Sequence, residues 1–290
     1  TLGYLRQLHA SGDYTYAAAK RFRAVASDGA PSLRMLMQGS VEVEDGPEAW
    51  PTLWDAYRDW GYVSMFGEAG CGTAAASALG ASLERPPPAD HVVLEAFCTL
   101  DAQLKERWRA ATLGAAGGGA EGRVGQAPPS QHLLNYTRGF LRQYKGLPKL
   151  AVAAFPAAPQ GSGAGVLRAM DPWIRRTLRL VLRKQPRTAV LLVSDTGARE
   201  DALRPGSGGS GVYGRAQAEL ALQGAAPALH VLLPAQVGAV ASAAATHAAL
   251  AANAAEVVLS MADVHAALRG LPQLLPAPPS AFAAPTRPDA

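Results

Sequence analysis

The run Ala189 to Val193, A-V-L-L-V, leads straight into Ser194, Asp195, Thr196 and Gly197, and it constrains the fold more than any other stretch of the chain. A short apolar run rich in Val and Leu predicts a strand covered on both faces, which requires helices packed above and below a sheet. Asp195 follows at the strand's end, and Gly197 lets the chain turn. In open α/β sheets, ligands bind beyond the carboxyl ends of strands. Asp195 therefore stands where a metal ligand would stand, with capping of the loop as the plain alternative.

Similar units recur along the chain. Trp50 to Trp60 places Leu53, Trp54, Tyr57 and Trp60 at helical spacing, with Pro51 early in the helix and Gly61 as its stop. Tyr62 to Phe66 predicts a strand, followed by a turn at Gly67-Glu68-Ala69-Gly70. Gln131 to Tyr144 predicts an amphipathic helix with Leu134, Phe140, Leu141 and Tyr144 toward the core, and Leu147 to Phe155 a strand after it. Asp171-Pro172 has the chemistry of a helix start, an N-cap acid before a first-turn Pro, with Ile174, Leu178, Val181 and Leu182 as the apolar face. Ala228 to Leu233 predicts a further strand, and Met261 to Leu268 a last helix with Asp263 in its first turn. Strands alternating with helices predict a mostly parallel sheet with helices on both faces.

The 290 residues suffice for one large α/β domain or two small ones, although much of the hydrophobic fraction is Ala. Abundant Gly and Pro predict long loops, above all a mobile one over 114–129, and a disordered Pro/Ala-rich tail over 272–290. No run is long and apolar enough for a transmembrane helix. The first residues lack a signal-peptide pattern and an initiator Met, so the chain is expected to be a fragment or a processed form. Cys71 and Cys98 allow one disulfide but imply neither a disulfide framework nor a zinc site.

The net charge of +4 is mild, and its densest cluster is Arg175, Arg176, Arg179, Arg183 and Lys184. Their spacing puts most of them on one side of a helix, which is expected to be a solvated face. No aromatic interleaving or recognition motif points to nucleic acid, and no nucleic-acid partner is expected. Gly206 to Gly211 spells G-x-G-x-x-G, but it follows Arg204-Pro205 rather than a strand, and the dinucleotide fingerprint needs the strand. The six His residues show no metal-ligand spacing and are expected to be structural or superficial. Cys71 without a placed His is a weak nucleophile candidate. Asn135-Tyr136-Thr137 is a glycosylation sequon by pattern, set inside a predicted helix.

A series of motifs accumulates in order: W-x-x-Y-R-x-W-G-Y-V-S-x-F-G-E at 54–68, L-N-Y-T-R-G-F-L-R-Q-Y-x-G-L-P-K-L-A-V at 134–152, G-S-G-x-G-V at 161–166, V-L-L-V-S-D-x-G at 190–197, P-A-L-H-V-L-L-P at 227–234 and D-V-H-A-A-L at 263–268. In order and spacing they resemble the sulfatase-like family of uncharacterised proteins in the alkaline phosphatase superfamily, over roughly residues 3 to 271. The resemblance implies one domain over 1–271, an α/β/α sandwich around a mixed, mostly parallel sheet. In active superfamily members, Asp and His at strand ends hold divalent metals such as zinc, calcium or magnesium, and a Ser, Thr or formylglycine attacks a phosphate or sulfate ester. The resemblance also implies a secretory, extracellular or membrane-associated setting.

Set against that family, the chain has lost ligands. The family's S-D-H-G reads S-D-T-G, which keeps Asp195 and puts Thr196 in place of a His. Its E-x-H-E-G-T-G reads A-A-P-Q-G-S-G, with Pro159 for a His and Gln160 for a Glu. Its G-E-D reads G-E-A, which keeps Glu68 and puts Ala69 in place of an Asp. The family's first strand and its nucleophile would precede Thr1. Pro, Thr and Ala do not replace imidazole and carboxylate in a divalent site. The expectation is a degenerate member without hydrolase activity or cofactor, in a binding or structural role, with Asp195 the remnant of a metal site. The alternative is an active metal-dependent ester hydrolase completed by residues upstream of Thr1.

Overall fold

The computed structural model describes residues 1–25, 29–42, 52–69, 74–79, 86–94, 129–155, 163–195, 227–235 and 243–274. In chain order these form α1 (Leu2–Ala10), β1 (Tyr14–Ala18), β2 (Phe22–Arg23), α2 (Gly29–Gln38), α3 (Leu53–Asp59), β3 (Val63–Glu68), α4 (Ala74–Ala78), β4 (His91–Val93), α5 (Pro129–Gln143), β5 (Lys149–Ala154), α6 (Gly163–Lys184), β6 (Val190–Val193), β7 (Leu229–Pro234), α7 (Ala243–Glu256), β8 (Leu259–Ser260) and α8 (Met261–Gly270), closed by a 3₁₀ turn at Leu271–Leu274.

The strands fall into three hydrogen-bonded groups, and the protein is of the α/β class. One sheet, ordered β4-β3-β5, is parallel throughout, with Met65 opposite His91 and Ala151. A second, ordered β1-β7-β6, is antiparallel, with Tyr16 opposite Leu232 and Leu191 opposite Val231. A short parallel pair joins β2 to β8. Antiparallel pairing of β6 departs from the mostly parallel sheet that strand–helix alternation predicts. Alternation carries no information about β1, a strand near the start of the chain that pairs with β7 close to its end.

Both larger sheets carry helices on each face. In the parallel sheet, Phe66, Val152 and Ala154 face Met37 of α2 and Trp54 of α3, while Met65, Ala151 and Ala153 face Leu133 and Phe140 of α5. In the antiparallel sheet, Val190, Leu192 and Leu232 face Leu5 of α1 and Leu182 of α6, while Leu191, Val193 and Leu229 face Met261 and Val264 of α8. The run Val190–Val193 is thus contacted on both faces, as its composition predicts. All four of its residues stay half-buried because β6 ends its sheet among the described strands. α2 touches both regions, through Met37 to the first and Met35 to the second.

Local chemistry sets the helix ends. Thr52 and Asp55 form a reciprocal capping box on α3, with the Asp55 N–H donating to Thr52 Oγ1 at 3.3 Å and the Thr52 N–H to Asp55 Oδ2 at 2.9 Å. Ser260 and Asp263 repeat the device on α8. Gly61 ends α3 at φ +72°, a left-handed conformation that a side chain would strain.

Two expectations about elements need correction. β3 runs on through Gly67 and Glu68, so these residues lie in the strand rather than in a turn. α6 begins at Gly163, not at Asp171-Pro172. Asp171 lies inside it, and its Oδ1 accepts from the Thr1 nitrogen at 2.5 Å, while Pro172 is exposed within the helix. Pro129 opens α5 at the end of the predicted mobile loop, and Pro272 is buried in the closing 3₁₀ turn at the start of the predicted tail. The remainder of 114–129 and of 272–290 lies outside the described residues.

Candidate functional site

The two carboxylates that the resemblance sets at strand ends are Glu68 and Asp195. Glu68 is the last residue of β3, the central strand of the parallel sheet, and is only 3% exposed. Its Oε1 accepts from the Ala75 N–H at 3.0 Å, in the first turn of α4. An anion at a helix start satisfies an amide that has no partner within the helix and opposes the positive end of the helix dipole. Next to it, Ala69 is equally buried, donates its N–H to Ala154 O at 3.0 Å, and packs in an apolar cluster with Met65, Leu133 and Phe140. Gly67 makes that packing possible, because a Cβ there would collide with the Leu133 side chain.

Asp195 lies just past β6 and is exposed. The Ser194 N–H before it is held by Ala228 O at 2.8 Å, which extends the β6–β7 ladder by one residue. The Asp195 carboxylate lies against Gly29, the first residue of α2, in the space that a side chain at position 29 would fill. Absence of a Cβ at Gly29 lets the carboxylate approach the start of this helix, where its charge is favoured. Pro31, inside the first turn of α2, is a signal in the sequence for a helix start here.

α2 and α4 pack on each other. Arg34 Nη1 donates to Ala78 O at 3.3 Å, and Gln38 Nε2 donates to Leu79 O at 3.2 Å. The two carboxylates therefore serve the starts of two helices that are in contact. Among the described residues, no three His, Cys, Asp or Glu side chains converge to hold a metal ion. Position 69 offers no donor, and its apolar surroundings would not welcome one. Pro159, Gln160, Thr196, Cys71 and Cys98, together with Gly206 to Gly211, lie outside the described residues.

His91, His230, His265 and His9 have structural partners. His91 is held between two tyrosine hydroxyls of α5, with Nδ1 3.1 Å from Tyr136 Oη and Nε2 2.6 Å from Tyr144 Oη. His230 Nδ1 lies 2.9 Å from Tyr16 Oη, and the two rings stack. His265 Nδ1 lies 2.9 Å from Leu36 O, near the end of α2. His9 Nδ1 lies 3.2 Å from Tyr14 O. Burial holds His230 and His265 below the ordinary imidazole range, with Arg6 and Arg269 respectively acting in the same direction. The sequence signalled neither the burial of Glu68 nor a cavity of about 350 Å³ beside α1 and the end of α6. Tyr4, Leu8, Tyr14 and Arg183 help to line it. Burial pushes the Tyr14 phenol up to about 12, and its hydroxyl donates to Pro186 O at 2.7 Å. Neither strand-end carboxylate lines this cavity. No family model matches the chain, and no curated protein does.

Proposed function

We propose that this chain is a degenerate sulfatase- or alkaline-phosphatase-like domain without hydrolase activity, acting as a binding or structural module. One observation carries the reading. Ala69 stands where the resemblance expects an acidic ligand, and it is packed among Met65, Leu133 and Phe140. A carboxylate placed there would be desolvated without a partner, which is strongly unfavourable. Asp195 and Glu68 fit the same reading, because each is engaged at a helix start. The parallel sheet with helices on both faces is compatible with the superfamily's sandwich, and a mixed sheet also admits the antiparallel β6–β7 pair.

The reading is tested on the purified chain by measuring bound metal and the hydrolysis of aryl sulfates and aryl phosphates. Metal at well below one equivalent and no turnover are expected. Stoichiometric metal, with turnover that disappears in Asp195→Ala, would overturn it and establish a metal-dependent ester hydrolase.

A further inference from the structure

The helices on one side of the molecule are strongly basic. α1 carries Arg6 and no acid, and α5 carries Arg138 and Arg142 and no acid. α6 carries Asp171 as its only carboxylate, and that group is engaged with Thr1. Along the outer side of α6, Arg175, Arg176, Arg179, Arg183 and Lys184 are all exposed. At 1.5 Å per residue they span about 14 Å of helix. None of them forms an ion pair among the described residues. The helices are contiguous: Arg179 lies over the Tyr4 ring of α1 at 5.5 Å, and Gln185 Nε2 donates to Leu141 O of α5 at 2.5 Å. The opposite side is balanced, since α3 pairs Asp55 with Arg58 at 3.0 Å and α8 carries both Asp263 and Arg269.

An exposed apolar side chain stands among these charges: Leu180 lies within the α6 stripe at 37% exposure, and Leu2 is exposed on the neighbouring α1 at 40%. Basic residues spread over three neighbouring helices form a two-dimensional field, which suits a plane better than a thread. Guanidinium groups match phosphate oxygens, and an interspersed Leu suits the boundary between headgroups and acyl chains.

We propose that the α1–α5–α6 face docks on an anionic lipid surface. The inference does not depend on the hydrolase question, because no residue of either strand end takes part in it. A basic residue near such a surface strengthens binding about fivefold, from about 1 kcal/mol each.

The test is co-sedimentation of the 290-residue chain with phosphatidylcholine vesicles, with and without phosphatidylserine. Binding is expected only with phosphatidylserine, and it should weaken as salt rises. The triple variant Arg176→Gln, Arg183→Gln, Lys184→Gln should lower it by about 100-fold at unchanged circular dichroism. Leu180→Ser should lower vesicle binding several-fold and leave binding to heparin or duplex DNA unchanged. Binding indifferent to phosphatidylserine or to the triple variant overturns the proposal. So does binding to heparin or DNA that is tighter than to vesicles, which would assign the face to a soluble polyanion.

Discussion

Glu68 at the end of β3 and Asp195 just past β6 occupy comparable places, each a carboxylate at the end of a strand, yet their surroundings differ. Glu68 ends the central strand of its sheet and is buried, while Asp195 follows a strand at the end of its sheet and is exposed. Glu68 serves α4, a few residues further along the chain, whereas Asp195 serves α2, far back in the sequence. The same local pattern thus yields a buried structural acid in one sheet and a superficial one in the other. Position in the sheet decides which, through how much of the carboxylate the neighbouring strands and helices cover.

Four predictions bear on this contrast. The largest effect should come from Ala69→Asp, which would restore the acid that the resemblance expects. Burying a carboxylate among Met65, Leu133 and Phe140 should cost about 3 kcal/mol or more in denaturant unfolding, and divalent metal should not recover it. An Ala69→Asp protein stabilised by metal would show that a site is latent at this strand end. Next, Glu68→Ala should cost about 2 kcal/mol, because the Ala75 N–H loses its partner in a buried place. Glu68→Gln should recover most of that, since an amide oxygen can accept the same bond.

Asp195→Ala should cost only about 0.5–1 kcal/mol, as befits an exposed acid at a helix start. A cost as large as that of Glu68→Ala would erase the contrast. The smallest effect is one of pH. His230 and His265 are held below the ordinary imidazole value chiefly by burial, so the folded protein favours their neutral forms. The unfolded chain then binds protons first, and stability should fall as pH drops through the ordinary imidazole value of 6.5 toward the lower folded values. Thermal unfolding near pH 7.5 and near pH 5.5 measures this, and His265→Gln should reduce the difference. Both histidines lie on or beside the antiparallel sheet, so the acid sensitivity belongs to that region.

Much of this architecture is legible in the residues, but not its long-range pairing. The apolar periodicity of Leu134, Phe140 and Leu141 marks α5, and Gly61 marks the end of α3, because both signals act within a few residues. Asp171-Pro172 misleads for the same local reason. It has the chemistry of a helix start, but α6 extends back to Gly163 and Asp171 is used by Thr1. The strand Tyr14–Ala18 carries a short pattern whose partner, β7, is supplied by the other end of the chain. Of the site, the strand-end placement of Asp195 is visible in the sequence. The seat of its carboxylate on Gly29 is not, because it joins two segments that no local pattern connects.

We propose that Glu68 and Asp195 serve helix starts rather than a metal. The most direct test is the melting temperature of the chain and of Asp195→Ala, each in chelator and in about 1 mM zinc, calcium or magnesium. A site of micromolar affinity would add about 4 kcal/mol at that concentration. No metal-dependent rise is expected in either protein, with the same small deficit for Asp195→Ala in every condition. A rise of several degrees in the parent chain that is lost in Asp195→Ala would contradict the proposal.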